Sequence, residues 1–223
     1  PAYNMYGDGE MSDVNDYAAL LIPFYDASAG VKKFFEQLLS SKNDEVKMNA
    51  AVLLLKYKKP LADSVLTNLA EKDDYRIKLY RSLEKAKLKD HFPTAYKSQE
   101  AIAKSFILRA SETQKFADIK LVSKKKIQLK KKEGYVFFFK YKKKKDGEWL
   151  MGICGTQPVN EKEINSEYPE LLLTAKKITT EKTEMEQFEE ELDKLMLEMH
   201  PTASRFFEEP NKYGYSDYGD YEE

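Results

Sequence analysis

Cysteine, histidine and arginine are scarce in this 223-residue chain, and no long apolar run interrupts it. The one cysteine, Cys154, permits neither an internal disulfide nor a thiolate metal cluster, and reads as a small core residue. The two histidines, His91 and His200, lie far apart, each beside a helix end and soon followed by proline. They give no two-histidine metal spacing and have no neighbouring Asp or Ser in a triad arrangement. Gly152-Ile-Cys-Gly155 lacks the following Lys-Ser/Thr and helix of a phosphate loop. Carboxylate pairs such as Glu189/Glu190 fall on a helix that is acidic along its whole outer side. We therefore assign no catalytic residue, cofactor site or metal ligand, and expect a chain that is not an enzyme. No segment approaches the roughly 18 apolar residues of a membrane span, and no signal peptide is visible. A formal net charge of -1 favours no class of partner for the molecule as a whole.

What is present is organised around residues 118–157. Three β segments follow one another there: Ile119 to Leu129, Tyr135 to Lys142, and Trp149 to Cys154. Glu133-Gly134 and Asp146-Gly147 punctuate them as hairpin signals, because glycine takes positive φ without penalty. Tyr135, Phe137, Phe139 and Tyr141 alternate with Val136, Phe138, Lys140 and Lys142, which predicts a three-stranded antiparallel meander with one aromatic face.

Helices are expected on both sides. Asp13 or Asn15 caps a first helix carrying Tyr17, Leu20 and Leu21 inward. Val31 to Leu39, Val46 to Tyr57, Leu61 to Leu69 and a helix through Ile77, Tyr80 and Leu83 follow as pairs. Another opens at Thr94 or Ser98 and runs to about Ala110, with Ile102, Phe106 and Ile107 on its apolar side. After the meander, residues 158–169 read as a loop and Leu171 to Leu173 as a buried turn or short helix. Thr183 and Glu186 have capping-box spacing and start a helix whose seam is Met185, Phe188, Leu192, Leu195 and Met199. The expected class is α+β, with the last helix packed on the sheet. The expected organisation is a linker or frayed start at 1–12, a helical domain at 13–112, sheet plus helix at 113–207, and an acidic, tyrosine-bearing disordered tail at 208–223.

Two turn-plus-helix units recur at a spacing near 30: Leu39 with Leu69, Asn43-Asp44 with Asp73-Asp74, Val46 with Ile77. Asp44-Glu-Val46-Lys47-Met-Asn-Ala50-Ala51-Val-Leu53-Leu54 resembles the second helix of a HEAT repeat, with an acidic cap, then an aliphatic and a basic residue, then small residues and leucines. The second unit departs from that pattern at Arg76 and Arg81. More widely, the order of elements resembles the C-terminal accessory region of large bacterial TraB/GumN-family proteins. The stretches concerned are Asp16 to Tyr25, Lys47 to Leu55, Gly134 to Lys140 and Trp149 to Ile153. That resemblance implies a cell-envelope protein whose hydrolase-like domain lies upstream, and it carries no catalytic residue onto this chain. The start at Pro1 rather than Met fits the same expectation of a piece of a larger protein or assembly. Without it, a soluble cytoplasmic protein is expected.

Charge is polarised. Residues 116–147 hold 12 lysines against Asp118, Glu133 and Asp146, a local net of +9, whereas 181–223 carry a net of -10. Arginine occurs only at 76, 81, 109 and 205 and is absent from the lysine-rich stretch. The candidate partner-binding residues are Lys124, Lys125, Lys126, Lys130, Lys131, Lys132, Phe138, Lys140, Lys142, Lys143, Lys144 and Lys145. The leading expectation is a non-catalytic protein-interaction or scaffolding module. The alternative is nucleic-acid binding through these lysines and an exposed Phe138, by phosphate contacts and stacking. Solvated or internally matched lysines, which also protect strand edges, are the plainer reading of the same run.

Overall fold

The computed structural model describes residues 8–111, 118–129 and 132–199. The chain forms two compact units, Pro1–Thr179 and Thr180–Glu223. The first contains α1 (Asp8–Leu21), α2 (Ala29–Leu39), α3 (Asp44–Lys56), α4 (Asp63–Glu71), α5 (Asp73–Lys85) and α6 (Gln99–Ala110), then β1 (Asp118–Leu129), β2 (Lys132–Lys142), β3 (Leu150–Pro158) and β4 (Leu171–Lys177). The second contains α7 (Glu184–Met199). The protein is thus α+β. No helix among the described residues is long and apolar enough to cross a membrane.

Helix starts follow from their caps. Ser28 Oγ accepts from the Val31 amide at 3.3 Å, Asn43 Oδ1 from Glu45 and Val46 at 2.9 and 3.4 Å, and Ser98 Oγ from Ala101 at 3.1 Å. Each such bond satisfies a helix-end donor and stabilises by about 1 kcal/mol. The stops of α3 and α5 share a device. Lys58 and Lys87 adopt left-handed φ of 56° and 59°. Beyond them Lys59 donates to the Leu54 carbonyl, and Leu88 to that of Leu83. This is the six-to-one closure of a Schellman motif, usually built on glycine.

α1 starts at Asp8, five residues before Asp13, and presents a face rotated from the expected one. Ala18 and Ile22 are buried with Val31, Phe35, Ala50 and Leu54, whereas Tyr17 and Leu20 are 62% and 69% exposed. Leu21, also expected inward, is half-buried against the same core.

The sheet is antiparallel with order β1-β2-β3-β4, so it has four strands where the sequence suggested three. The fourth begins at Leu171-Leu-Leu173, expected as a turn or short helix; this run pairs with Gly155, Cys154 and Ile153. Between Met151 and Ile153 the pairing shifts, so that Thr174 and Ala175 oppose Gly152 alone, a β-bulge. Ala175 takes φ 66° there, and its amide donates to the Tyr141 hydroxyl at 2.7 Å.

β2 is buried on both faces. Phe137, Phe139 and Tyr141 share a core with Ile77, Leu83, Ile102 and Ile107, which joins the helices to the sheet. Val136 and Phe138, on the opposite face, are also fully buried, so the expectation of an exposed Phe138 is corrected, while Phe137, Phe139 and Tyr141 share one aromatic face as expected. Gly134 is a strand residue opposite Ile127, not a turn residue. A Cβ there would lie 2.8 Å from the Gln157 carbonyl oxygen, so close backbone approach, not positive φ, requires glycine.

Within the second unit, the capping box forms as its spacing predicts. Glu186 accepts from the Thr183 amide at 2.9 Å, and Thr183 Oγ1 accepts from the Glu186 amide at 3.3 Å. Phe188 and Leu192 are buried and Leu197 is exposed. Residues 200–223, with the expected acidic tail, lie outside the described residues, as does the side chain of Met199.

Two outcomes follow for stability. Lys58→Gly and Lys87→Gly relieve left-handed strain and should each raise stability by about 0.5–1 kcal/mol in urea denaturation. Gly152→Ala should lower it by about 1–3 kcal/mol, because the new Cβ would sit 3.0 Å from Ile107 Cγ2 in a packed interface.

Candidate interaction site at the lysine end of the sheet

Lys120 and Lys140 are direct cross-strand partners on β1 and β2, and Lys142 follows two residues on. Like charges placed opposite each other repel. Here a single indole answers them. Trp149, immediately before β3, has the ammonium groups of Lys120, Lys140 and Lys142 over its ring at 5.3, 5.3 and 4.9 Å from the centroid. The electron-rich ring face attracts each cation by about 0.5–2 kcal/mol, depending on desolvation. No two of the three can be more than about 11 Å apart, close to one Debye length at about 0.1 M salt, so screening between them is incomplete. The indole is fixed in turn by its backbone, whose carbonyl accepts from the Ile178 amide at 3.0 Å.

Next to this cluster is the turn between β2 and β3. Its Gly147 amide donates to the Lys144 carbonyl at 2.9 Å. Lys143, Lys144 and Lys145 are exposed on it, and none forms an ion pair among the described residues. Lys120 also pairs with Asp118 at 3.1 Å.

The remaining candidate lysines are placed differently. Lys124 pairs with Glu161 and lies 4.6 Å above the Tyr135 ring. Lys126 pairs with Glu133 at 2.8 Å. Hydrogen bonds that the two ammonium groups donate to these carboxylates raise the pKa of both above the ordinary lysine value. Lys125 is half-buried on the edge strand β1, and Lys132 is exposed at the start of β2. Lys130 and Lys131 lie outside the described residues. Phe138 is fully buried and offers no stacking surface.

Cys154 is fully buried, and burial alone pushes its thiol pKa far up, so it is a core residue. His91 is exposed in a short 3-10 turn, Lys89–His91. Gly152 and Gly155 are strand residues of β3. Glu190 pairs with Lys182. Among the described residues no group of three or more His, Cys, Asp or Glu is placed to hold a metal ion.

Sequence reasoning missed the roles of the arginines. Arg76 is buried; its Nε donates to Ala70 O at 2.8 Å, its terminal nitrogens to Glu71 O and Ala101 O at 3.2 Å, and it pairs with Asp73 at 2.7 Å. It closes the end of α4 onto α6, a task for which the guanidinium fork is suited and an ammonium is not. No sequence signal marks those carbonyls in advance.

No family model, curated protein or solved structure matches the chain.

Trp149 is the one tryptophan, so its emission reports on this site alone. Iodide should quench it more efficiently than caesium, and the difference should shrink as sodium chloride rises from low to molar concentration. Equal quenching by both ions at low salt would contradict a net positive field at the indole.

Proposed function

We propose that the chain is a non-catalytic interaction module that docks an acidic protein surface through the lysine end of its sheet. The observation that carries this reading is the convergence of Lys120, Lys140 and Lys142 on Trp149 beside the exposed Lys143, Lys144 and Lys145. Such a concentration of one sign steers an oppositely charged partner and fixes its orientation more than it adds affinity. Nucleic acid is the less suited partner. The stacking role assigned to Phe138 is ruled out by its burial, and the face of Trp149 already carries ammonium groups. Lysine also lacks the bidentate fork that suits phosphates.

On this reading the helices are the scaffold, as two HEAT-like pairs, α2–α3 and α4–α5. Supporting it, α3 and α5 are both 13 residues long, begin at Asp, end at Lys and share the same stop, displaced by 29 positions. The accessory region of a longer TraB/GumN-type protein would use such a module in the same way, with chemistry supplied elsewhere.

The test is titration of the chain with poly-glutamate and with single-stranded DNA of equal charge, followed by Trp149 fluorescence. Reversing Lys143, Lys144 and Lys145 to Glu should weaken poly-glutamate binding at least about tenfold, whereas reversing Lys33, Lys42 and Lys97 should have a small effect. Equal loss from both triple variants, or tighter binding of the DNA, would overturn the proposal.

A further inference from the structure

The chain uses lysine almost everywhere a cation is wanted, with arginine at only four of its 37 basic positions. Two of those four, Arg81 of α5 and Arg109 of α6, line one cleft of about 350 Å³ together with Phe106, Ala110 and Tyr168. The site is remote in sequence from the lysine-rich hairpin and does not depend on the reading given above.

The cleft is built and held. Arg81 is half-buried; its Nε donates to the Ser166 carbonyl, and its guanidinium lies 5.2 Å from the Phe106 centroid. Phe106 in turn meets the Tyr168 ring edge-on at 6.4 Å. The loop carrying Ser166 and Tyr168 is fixed at several points. Gln99 of α6 donates to the carbonyls of Pro158, Asn160 and Glu163 at 2.8, 3.1 and 2.9 Å. Asn165 exchanges two hydrogen bonds with Gln157, at 3.0 and 2.9 Å. The Ser166 hydroxyl also donates to Glu84.

Among the described residues neither Arg81 nor Arg109 forms an ion pair, in contrast to Arg76 with Asp73. Glu84, a nearby acid, is engaged by Ser166 and lies 3.7 Å from Lys89. Burial first, and then the neighbouring Arg109, press the Arg81 pKa downward, against the opposing pull of the Glu167 and Glu84 carboxylates. Apart from the Arg81 Nε bond, the guanidinium donors have no protein acceptor among the described residues. Planar, multiply donating cations in a concave aromatic site suit an oxyanion that accepts several hydrogen bonds at once. Tyr168, a residue 69% exposed, supplies a flat apolar wall beside them.

We propose that this cleft binds a small phosphate monoester, with the phosphoryl group held by Arg81 and Arg109 and a planar organic group lying against Tyr168. A free phosphate ion would share the first contact and lack the second.

The test is calorimetric titration of the full chain with phenyl phosphate, inorganic phosphate and phenol. Phenyl phosphate should bind with one-to-one stoichiometry, inorganic phosphate at least about tenfold more weakly, and phenol without detectable heat. Arg109 is exposed, so Arg109→Lys should leave the circular dichroism spectrum unchanged while lowering phenyl phosphate affinity about tenfold or more. Tyr168→Ala should bring phenyl phosphate down to the affinity of inorganic phosphate. Unchanged affinity in Arg109→Lys, or equal affinity of the wild-type chain for both phosphates, would overturn the proposal. So would loss of binding on reversal of Lys143, Lys144 and Lys145, which would place the anion at the sheet instead.

Discussion

The close approach of α6 to β3 is the constraint on which the first unit depends. It is possible because Gly152 leaves room for Ile107, whose nearest atom would stand 3.0 Å from any Cβ placed there. Ile102, Phe106 and Ile107 then sit in one core with Phe137, Phe139, Tyr141 and Cys154. Each such side chain, fully buried, gains roughly 1.5–3 kcal/mol over exposure. On the neighbouring strand β4 bulges opposite Gly152, and the amide of Ala175 is satisfied there by the Tyr141 hydroxyl. The ends of α6 are put to use as well. Gln99 at its start anchors the loop that follows β3, and Arg109 at its end faces the cleft that this loop helps to form.

Cations in this chain divide by geometry. Where several carbonyl oxygens must be met at fixed angles, as at the end of α4, the residue is Arg76. Along the edge strand β1 the residues are Lys124, Lys125 and Lys126, whose long charged side chains also discourage another strand from adding there. At the far end of the sheet, Lys120, Lys140 and Lys142 converge on an indole, and Lys120 also meets the Asp118 carboxylate. The strand lysines are therefore largely answered within the molecule, and the turn at Lys143, Lys144 and Lys145 is where charge faces solvent.

Local chemistry made much of the fold legible. Ser98 and the Thr183–Glu186 box cap the helices they were expected to cap, because a cap is decided by residues three positions apart, whereas α3 is capped by Asn43 and not by the acidic Asp44 that follows it. The first three strands were readable from β-rich runs, although glycine's role at 134 was not: the contact that demands it comes from Gln157, more than twenty residues away. Leu171-Leu-Leu173 shows no alternation and is followed by Lys176 and Lys177, so nothing local marks it as a strand; its partner Ile153 does. Burial of Phe138 was equally invisible, since alternation in β2 assigns faces but cannot say that both are covered. The two arginines of the cleft, 28 residues apart, become neighbours only through the packing of α5 on α6. The lysine run was legible as charge, and the role of Trp149 within it was not.

Cys154, one of the residues on which α6 rests, gives the protein a chemical silence in the folded state. Its sulfur is sealed from solvent and kept as a neutral thiol by burial. Thiolate attack is the route to mixed disulfides and sulfenic acids, so in intact molecules this thiol should pass unchanged between reducing and oxidising surroundings. Covalent dimers, when they occur, would then be a record of chains whose sheet had opened, and their fraction would count past excursions from the native state.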